Sequence, residues 1–425
     1  MDMVRKKLID GVDLIAVSTD KFKTSVLSVT FVTPLCAETS TGNALLGEVL
    51  YRGSRLHPDI ESLSAATDEL YGMSLSTSVR QKGECQCVGF VSSFIDDRFA
   101  LDGKPVLEPA AELVAEILLD PLTEEGLFRS DYVESEGLNQ ADLIRSQVND
   151  KRGWSIHRVT ELMCEGEAYA LDKYGSAEES EEMTAEKLWG RYQDLLGNAR
   201  IIFYYAGSAD AERVETAIRT AFAPLITPRA VSLSCQVVAE PKSEVRSYTD
   251  RFDVAQGKLA LGFRTGGISA GSADYPALMV FNAIYGGTAS SKLFLNVRER
   301  LSLCYFAASL VDKLKGIMVV SSGVEFDKFD VAREEILTQL NAVREGDFSD
   351  ADLHVAKQAI VSSLRTMMDG HGRMEDYWLT QSIYGLTGTP EETITLVEAI
   401  TREQVMEVAA KMKLDTIYYL SGEEV

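Results

Sequence analysis

Four histidines are available to this 425-residue chain: His57, His157, His354 and His371. Imidazoles that grip one metal ion from a helix stand one turn apart, because i, i+4 spacing points both rings at a common centre. No histidine here has another within that reach, so no self-sufficient zinc motif is written in the sequence. His371 has Glu375 four residues on, and His157 lies near Trp154 and Arg158; both patterns are common on structural helices. Serine chemistry has one apparent opening, "GISAG" at 267–271, which matches G-x-S-x-G with Ser269 as nucleophile. That motif works on a tight strand-to-helix elbow. Here the strand ends near Thr265 and the next helix starts around Pro276, a good first-turn residue, so Ser269 is expected inside a loop. "GGTASSK" (286–292) puts small residues before a helix, as phosphate loops do. It has neither G-x-G-x-x-G spacing nor a Gly-Lys-Ser/Thr ending. Cys85 and Cys87 share one face of an alternating strand and, with no second cysteine pair, read as buried packing. The acidic run "EESEE" (178–182) reads as a solvated loop leading to a helix capped by Thr184.

Positioning any such group falls to a pattern that occurs twice. "LSVTFVTP" (27–34) and "KLALGFRTG" (258–266) both read as strands with near-period-two alternation. Each precedes a helix ending in glycine, "TGNALLGEVLYRGS" (41–54) and "DYPALMVFNAIYGG" (274–287). A second helix and an aromatic-led strand follow in both halves, then a further strand, "CVGFVSSFID" against "GIMVVSSGVEFD". The closing segments "MTAEKLWGRYQDLLGNARIIFYYAG" (183–207) and "AITREQVMEVAAKMKLDTIYYLSG" (399–422) match best. Thr184 and Thr401 are natural N-caps, and Thr401 with Gln404 makes a capping box. The copies lie roughly 210–235 residues apart, a whole-domain duplication. Strands and helices are segregated, with no βαβα alternation, which predicts an α+β fold. The expectation is two homologous domains, each a mostly antiparallel sheet with helices packed on it. Their predicted bounds are 1–228 and 246–425, joined by a linker at 229–245.

The formal net charge of −23 argues against a nucleic-acid partner, since phosphate contacts need clustered Lys and Arg. No apolar run approaches the roughly 18 residues that cross a bilayer. The apolar stretch after "MDMVRKK" is short and broken by Asp10 and Asp13, so a signal peptide is not expected and the cytoplasm is.

Gly286–Tyr305, "GGTASSKLFLNVRERLSLCY", resembles the C-terminal-domain signature of the pitrilysin/insulinase-type zinc peptidases: Gly-Gly, serine, Leu-Phe, Arg-Glu, then an aromatic. The resemblance covers nearly the whole chain, duplication included. It implies that Arg298 and Tyr305 reach a zinc domain and hold the substrate backbone. In the first half the family's His-x-x-Glu-His is followed by an aromatic, a basic residue, Gly, and Thr or Ser. That tail is intact as Tyr51-Arg52-Gly53-Ser54. Counting back, Ala44 and Glu48 stand at the histidine positions and Gly47 at the glutamate base. The third ligand aligns with Asp142 or its neighbour Ala141 in "EGLNQADLIRSQ". Zinc hydrolysis needs a polarised water and a base, and Ala44 and Gly47 offer neither. Glu48 with Asp142 would make only a thin all-oxygen site for Mg²⁺ or Ca²⁺.

The resemblance therefore implies a noncatalytic, substrate-holding subunit of a heterodimeric zinc peptidase. Zinc would sit on a catalytic partner of similar size, with no cofactor on this chain. The substrate would be a peptide or unfolded protein, with neither nucleic acid nor membrane involved. The resemblance is particularly close to inactive members of paired bacterial systems, one lineage of which is linked by name to modification of elongation factor P. Two alternatives stand beside it. One is a peptide-binding or scaffold protein without proteolysis, in which Arg298 pairs with Glu299 and Tyr305 is a half-buried strand aromatic. The other is an active metallopeptidase with an unorthodox site.

Overall fold

The computed structural model describes residues 2–101, 103–242 and 244–422. In chain order the strands are β1 (Asp2–Ile9), β2 (Val12–Ser18), β3 (Thr24–Pro34), β4 (Ser74–Lys82), β5 (Cys85–Ile95), the short pair β6 (Thr123–Glu124) and β7 (Leu127–Phe128), and β8 (Arg200–Gly207). The second half adds β9 (Arg246–Phe252), β10 (Gly257–Arg264), β11 (Cys304–Asp312), β12 (Ile317–Val324) and β13 (Lys413–Gly422). The first large sheet has the order β1-β2-β8-β3-β5-β4 and the second β11-β12-β10-β13-β9. Within them, β8-β3-β5-β4 is repeated as β13-β10-β12-β11, so the duplication read from sequence is a duplication of topology. Each large sheet is antiparallel except for one pair, β2 with β8 and β13 with β9. The fold is α+β, as the segregation of strands and helices predicts.

Among the described residues the chain packs as two compact units whose segments interleave along the sequence. One unit takes the chain up to Arg145, Leu171–Ser234 and His371–Gly385; the other takes Ser146–Ala170, Cys235–Gly370 and the chain from Leu386. One of the passages between the units falls between Ser234 and Cys235, and no helix or strand forms between Arg229 and Glu240. Arg229 is buried and donates to the Leu225 carbonyl at 3.1 Å, closing the first unit.

Alternation along the central strands sets both faces of each sheet. Leu27, Val29 and Phe31 of β3 join the large core formed with helices Ala37–Leu50, Leu107–Leu119, Ala185–Asn198 and Ala211–Ala221. Fully burying each such side chain contributes about 1.5–3 kcal/mol. The intervening Ser28 donates to Glu375 of helix His371–Ile383 at 3.2 Å. In the second unit Leu259, Leu261 and Phe263 of β10 face a core with helices Tyr275–Asn282, Phe329–Arg344 and Arg402–Lys411. The intervening Ala260 clusters with Val159 of helix Lys151–Met163. Gly262 allows that helix in close, since a Cβ there would lie 2.8 Å from the Met163 sulfur. Both helices on these second faces are carried in sequence by the opposite half of the chain.

Local signals held where local chemistry governs them. Thr184 accepts from the Lys187 amide at 3.3 Å, and Thr401 with Gln404 forms its capping box. "EESEE" differs: Ala177–Glu181 is a short helix, not a loop, because Ser176 caps it and Arg145 grips Glu181 through both terminal guanidinium nitrogens. No helix among the described residues is long and apolar enough to cross a membrane.

Candidate functional site

Helix Ala37–Leu50 holds the three positions at which the catalytic residues of the motif would stand. Its buried side includes Thr41, Ala44, Leu45 and Val49. Ala44 is buried, Gly47 half-buried, and Glu48 exposed. The edge strand β4 lies against them. A Cβ on Gly47 would sit 3.2 Å from both Cβ and Cγ2 of Thr77, tighter than ordinary van der Waals contact. The Thr77 hydroxyl donates to Glu48 Oε1 at 2.5 Å. Burial, then the charges of Asp172 and Glu48, push the Tyr174 phenol up in pKa. A side chain on Gly47 would therefore press on the Thr77 methyl, and Glu48 is engaged with the Thr77 hydroxyl.

Helix Ser130–Ser146 packs with Val133, Glu136, Gly137, Gln140 and Ala141 inward. Asp142, the next residue, is exposed. Gln140 donates to the carbonyls of Thr41 and Tyr174, each at 3.1 Å, and to Ser180 Oγ. Glu136 accepts from Arg52 at 2.8 Å and from Asn139 at 2.9 Å, while the Arg52 guanidinium lies 4.6 Å from the Tyr132 ring centre. Arg52 belongs to the intact Tyr-Arg-Gly-Ser tail, and its partner Glu136 was not singled out by sequence. The available signal was its i, i+4 spacing from Gln140 on one helical face. Among the described residues no three His, Cys, Asp or Glu side chains gather as metal ligands would. Alanine and glycine offer no donor atom and an exposed Asp142 is turned outward, so the residues present do not fit a zinc ion.

The signature of the second half is built differently. Helix Tyr275–Asn282 runs on into wide turns at Ala283–Gly287 and again at Leu293–Arg300. Gly286 has a packing role: a Cβ there would lie 2.6 Å from Ser309 Oγ and 2.7 Å from Leu293 Cδ1. Ser309 of β11 then donates to Asn282 Oδ1 at 2.6 Å. The small-residue loop thus lets helix and strand close on each other. Ser302 takes a left-handed φ of 49° that turns the chain from Arg300 into β11. Arg298 leans over the Phe294 ring at 4.6 Å and lies 3.5 Å from Glu299, with two-fifths of its side chain exposed. Its charge also acts on the Cys304 thiol, whose pKa burial raises and Arg298 partly offsets. The neighbouring Tyr305 is 69% exposed, more than a half-buried strand aromatic would be.

The other candidates fall where their chemistry stays quiet. Ser269 lies in a loop, and its hydroxyl stands 3.5 Å from that of Ser272. Cys85 and Cys87 are wholly buried, and burial pushes the Cys87 thiol up to about 12. His371 Nε2 donates to the Thr24 carbonyl at 3.0 Å, and burial lowers its pKa.

Known proteins resemble this chain in sequence and in fold. The family model described as "Peptidase M16 inactive domain" matches residues 182–360. The chain is 34% identical over 408 residues to the "Probable inactive metalloprotease YmfF" of Bacillus subtilis (strain 168), a match spanning 96% of this chain and 95% of that one. It is 21% identical to the "Uncharacterized zinc protease YmxG" of the same organism over 86% of this chain and 90% of that one. Among solved structures, a conserved protein from Enterococcus faecalis V583 superposes with a TM-score of 0.89 at 28% identity, covering 100% of this chain and 99% of that one. A structure titled as a peptidase M16 inactive domain, from Pseudomonas fluorescens, shares the fold at a TM-score of 0.79 and 18% identity, covering 100% and 99%.

Proposed function

The chain belongs to the pitrilysin/insulinase-type (M16) peptidase family as an inactive homologue, and from that premise we propose that it is the noncatalytic, substrate-holding subunit of a two-chain zinc peptidase. The observation that carries this reading is the contrast between the halves. At the degenerate positions Thr77 fills the space beside Gly47. In the second half Arg298 is partly exposed over the Phe294 ring, and Tyr305 is exposed after the turn into β11. An arginine and a tyrosine that present donors to solvent suit a peptide backbone, which offers carbonyl acceptors along its length. They act on a reaction only opposite a zinc domain, and this chain's own lacks ligands, so a partner of similar size would supply one. Peptide or unfolded protein is the substrate class, and the cytoplasm is the expected compartment.

Native mass spectrometry of this chain drawn from its own cells tests the reading. A one-to-one complex that holds zinc, with a second chain bearing His-x-x-Glu-His, supports it. A zinc-free monomer or homodimer favours the scaffold reading, and zinc on this chain alone overturns the assignment of the degenerate positions.

A further inference from the structure

The direction of Tyr305 depends on an irregularity in its strand. Cys304 pairs with Val324 and Ala307 with Ser322, so Tyr305 and Phe306 together oppose the single residue Gly323. A two-against-one bulge bends the strand and re-aims its side chains. A slip back to regular pairing would move residues on one side of it to the opposite face, because side chains alternate with period two. The bulge therefore needs something to hold it.

Phe306 has the contacts to do so. Its ring lies against Gly323 so closely that a Cβ there would come 2.8 Å from Cε1 and 3.1 Å from Gln256 Oε1. The Arg152 guanidinium, at the start of helix Lys151–Met163, lies over the same ring at 4.2 Å. Backbone anchors surround it: Ser322 Oγ donates to the Phe306 carbonyl at 2.9 Å, and Gln256 Nε2 to the Gly323 carbonyl at 3.4 Å. Lys258 in turn fixes Gln256 at 2.8 Å. We infer that Phe306, seated on Gly323 and covered by Arg152, is a positioning residue that holds the bulge and thereby aims Tyr305 at bound peptide. What Tyr305 does to peptide rests on the substrate-holding reading above; how it is aimed concerns this chain alone.

Full-length protein labelled with 3-fluorotyrosine separates the two. The fluorine resonance missing from Y305F identifies Tyr305. F306A and the milder F306L and G323A are expected to shift or broaden that resonance while the other tyrosines stay in place, and F306Y to restore it. In the complex with its catalytic partner, cleaving an internally quenched casein peptide, F306A is expected to raise KM roughly 3- to 10-fold with kcat unchanged, as Y305F does. A Tyr305 resonance unmoved in F306A, F306L and G323A overturns the positioning role. A resonance that moves while Y305F leaves KM untouched supports the positioning of Tyr305 and removes the substrate-holding reading instead.

Discussion

Thr77 occupies the space that a side chain on Gly47 would need: both its Cβ and its Cγ2 lie 3.2 Å from the position of a Gly47 Cβ. Glycine inside a helix costs about 0.5–1 kcal/mol relative to alanine, so Gly47→Ala on an open helix face would stabilise. Against Thr77 that gain is expected to vanish, and Gly47→Glu to destabilise by about 1–3 kcal/mol through overpacking. Thr77→Ala in the same chain should recover part of the loss. Urea unfolding of the single and double variants measures the coupling. If Gly47→Glu unfolds at the parent concentration, Thr77 does not close the site.

A buried charge network holds the second unit. Arg264 is fully buried and donates to Glu167 at 2.8 Å and Asp415 at 3.0 Å, while the buried Lys315 reaches Glu167 at 2.6 Å. Removing Arg264 takes the guanidinium from Asp415 and leaves Glu167 with Lys315, so buried carboxylate charge is less well compensated in a medium that solvates it poorly. Arg264→Ala is expected to cost about 3–5 kcal/mol. Equilibrium denaturation checks it, with loss of midpoint at unchanged slope as the expected result.

The same network predicts an acid response. Burial pushes the Glu167 carboxyl up, but its bonds to Arg264 and Lys315 outweigh that and hold it down to about 2, from a usual 4.5. Asp96, in the first unit, is likewise held to about 2 by Arg98, Ser208 and Ser25 against burial. A carboxylate with a lowered folded pKa binds fewer protons folded than unfolded. Its stabilisation is therefore full above the unfolded pKa and is lost as pH falls from about 5 toward 2. Glu167→Gln should lower stability at neutral pH and flatten that acid slope. A slope as steep as the parent's would show that other groups carry it.

Arg298→Ala is expected to leave assembly with the partner intact and to lower kcat/KM of the complex on peptide substrates roughly 10- to 100-fold, the effect of removing a hydrogen bond from a charged donor. Native mass spectra and cleavage assays on one preparation read both quantities. Full activity with intact assembly would end the substrate-holding role for this residue.

Sequence alone determined those features whose physics is local or repeated. Period-two strands, the caps at Thr184 and Thr401, and the loop position of Ser269 depend on residues a few positions apart. The duplication was legible because each copy writes the same strand and helix pattern, and it reappears as the shared order β8-β3-β5-β4 and β13-β10-β12-β11. That Ala44 can hold no metal and Gly47 can serve as no base needed no coordinates, since neither side chain has a donor atom.

Tertiary structure decided what depends on phase and on distant pairing. One residue of slip on a helix turns a side chain by about 100°, so only packing could put Ala141 inward, Asp142 outward, and Gln140 against the Thr41 carbonyl. Thr77 meets Gly47 because β4 is the edge strand beside that helix, a placement no local pattern carries. The exchange of helices Lys151–Met163 and His371–Ile383 between the halves is also silent in sequence. Their amphipathic faces specify that a sheet must cover them, while the choice of sheet follows from which connection the folded chain can close.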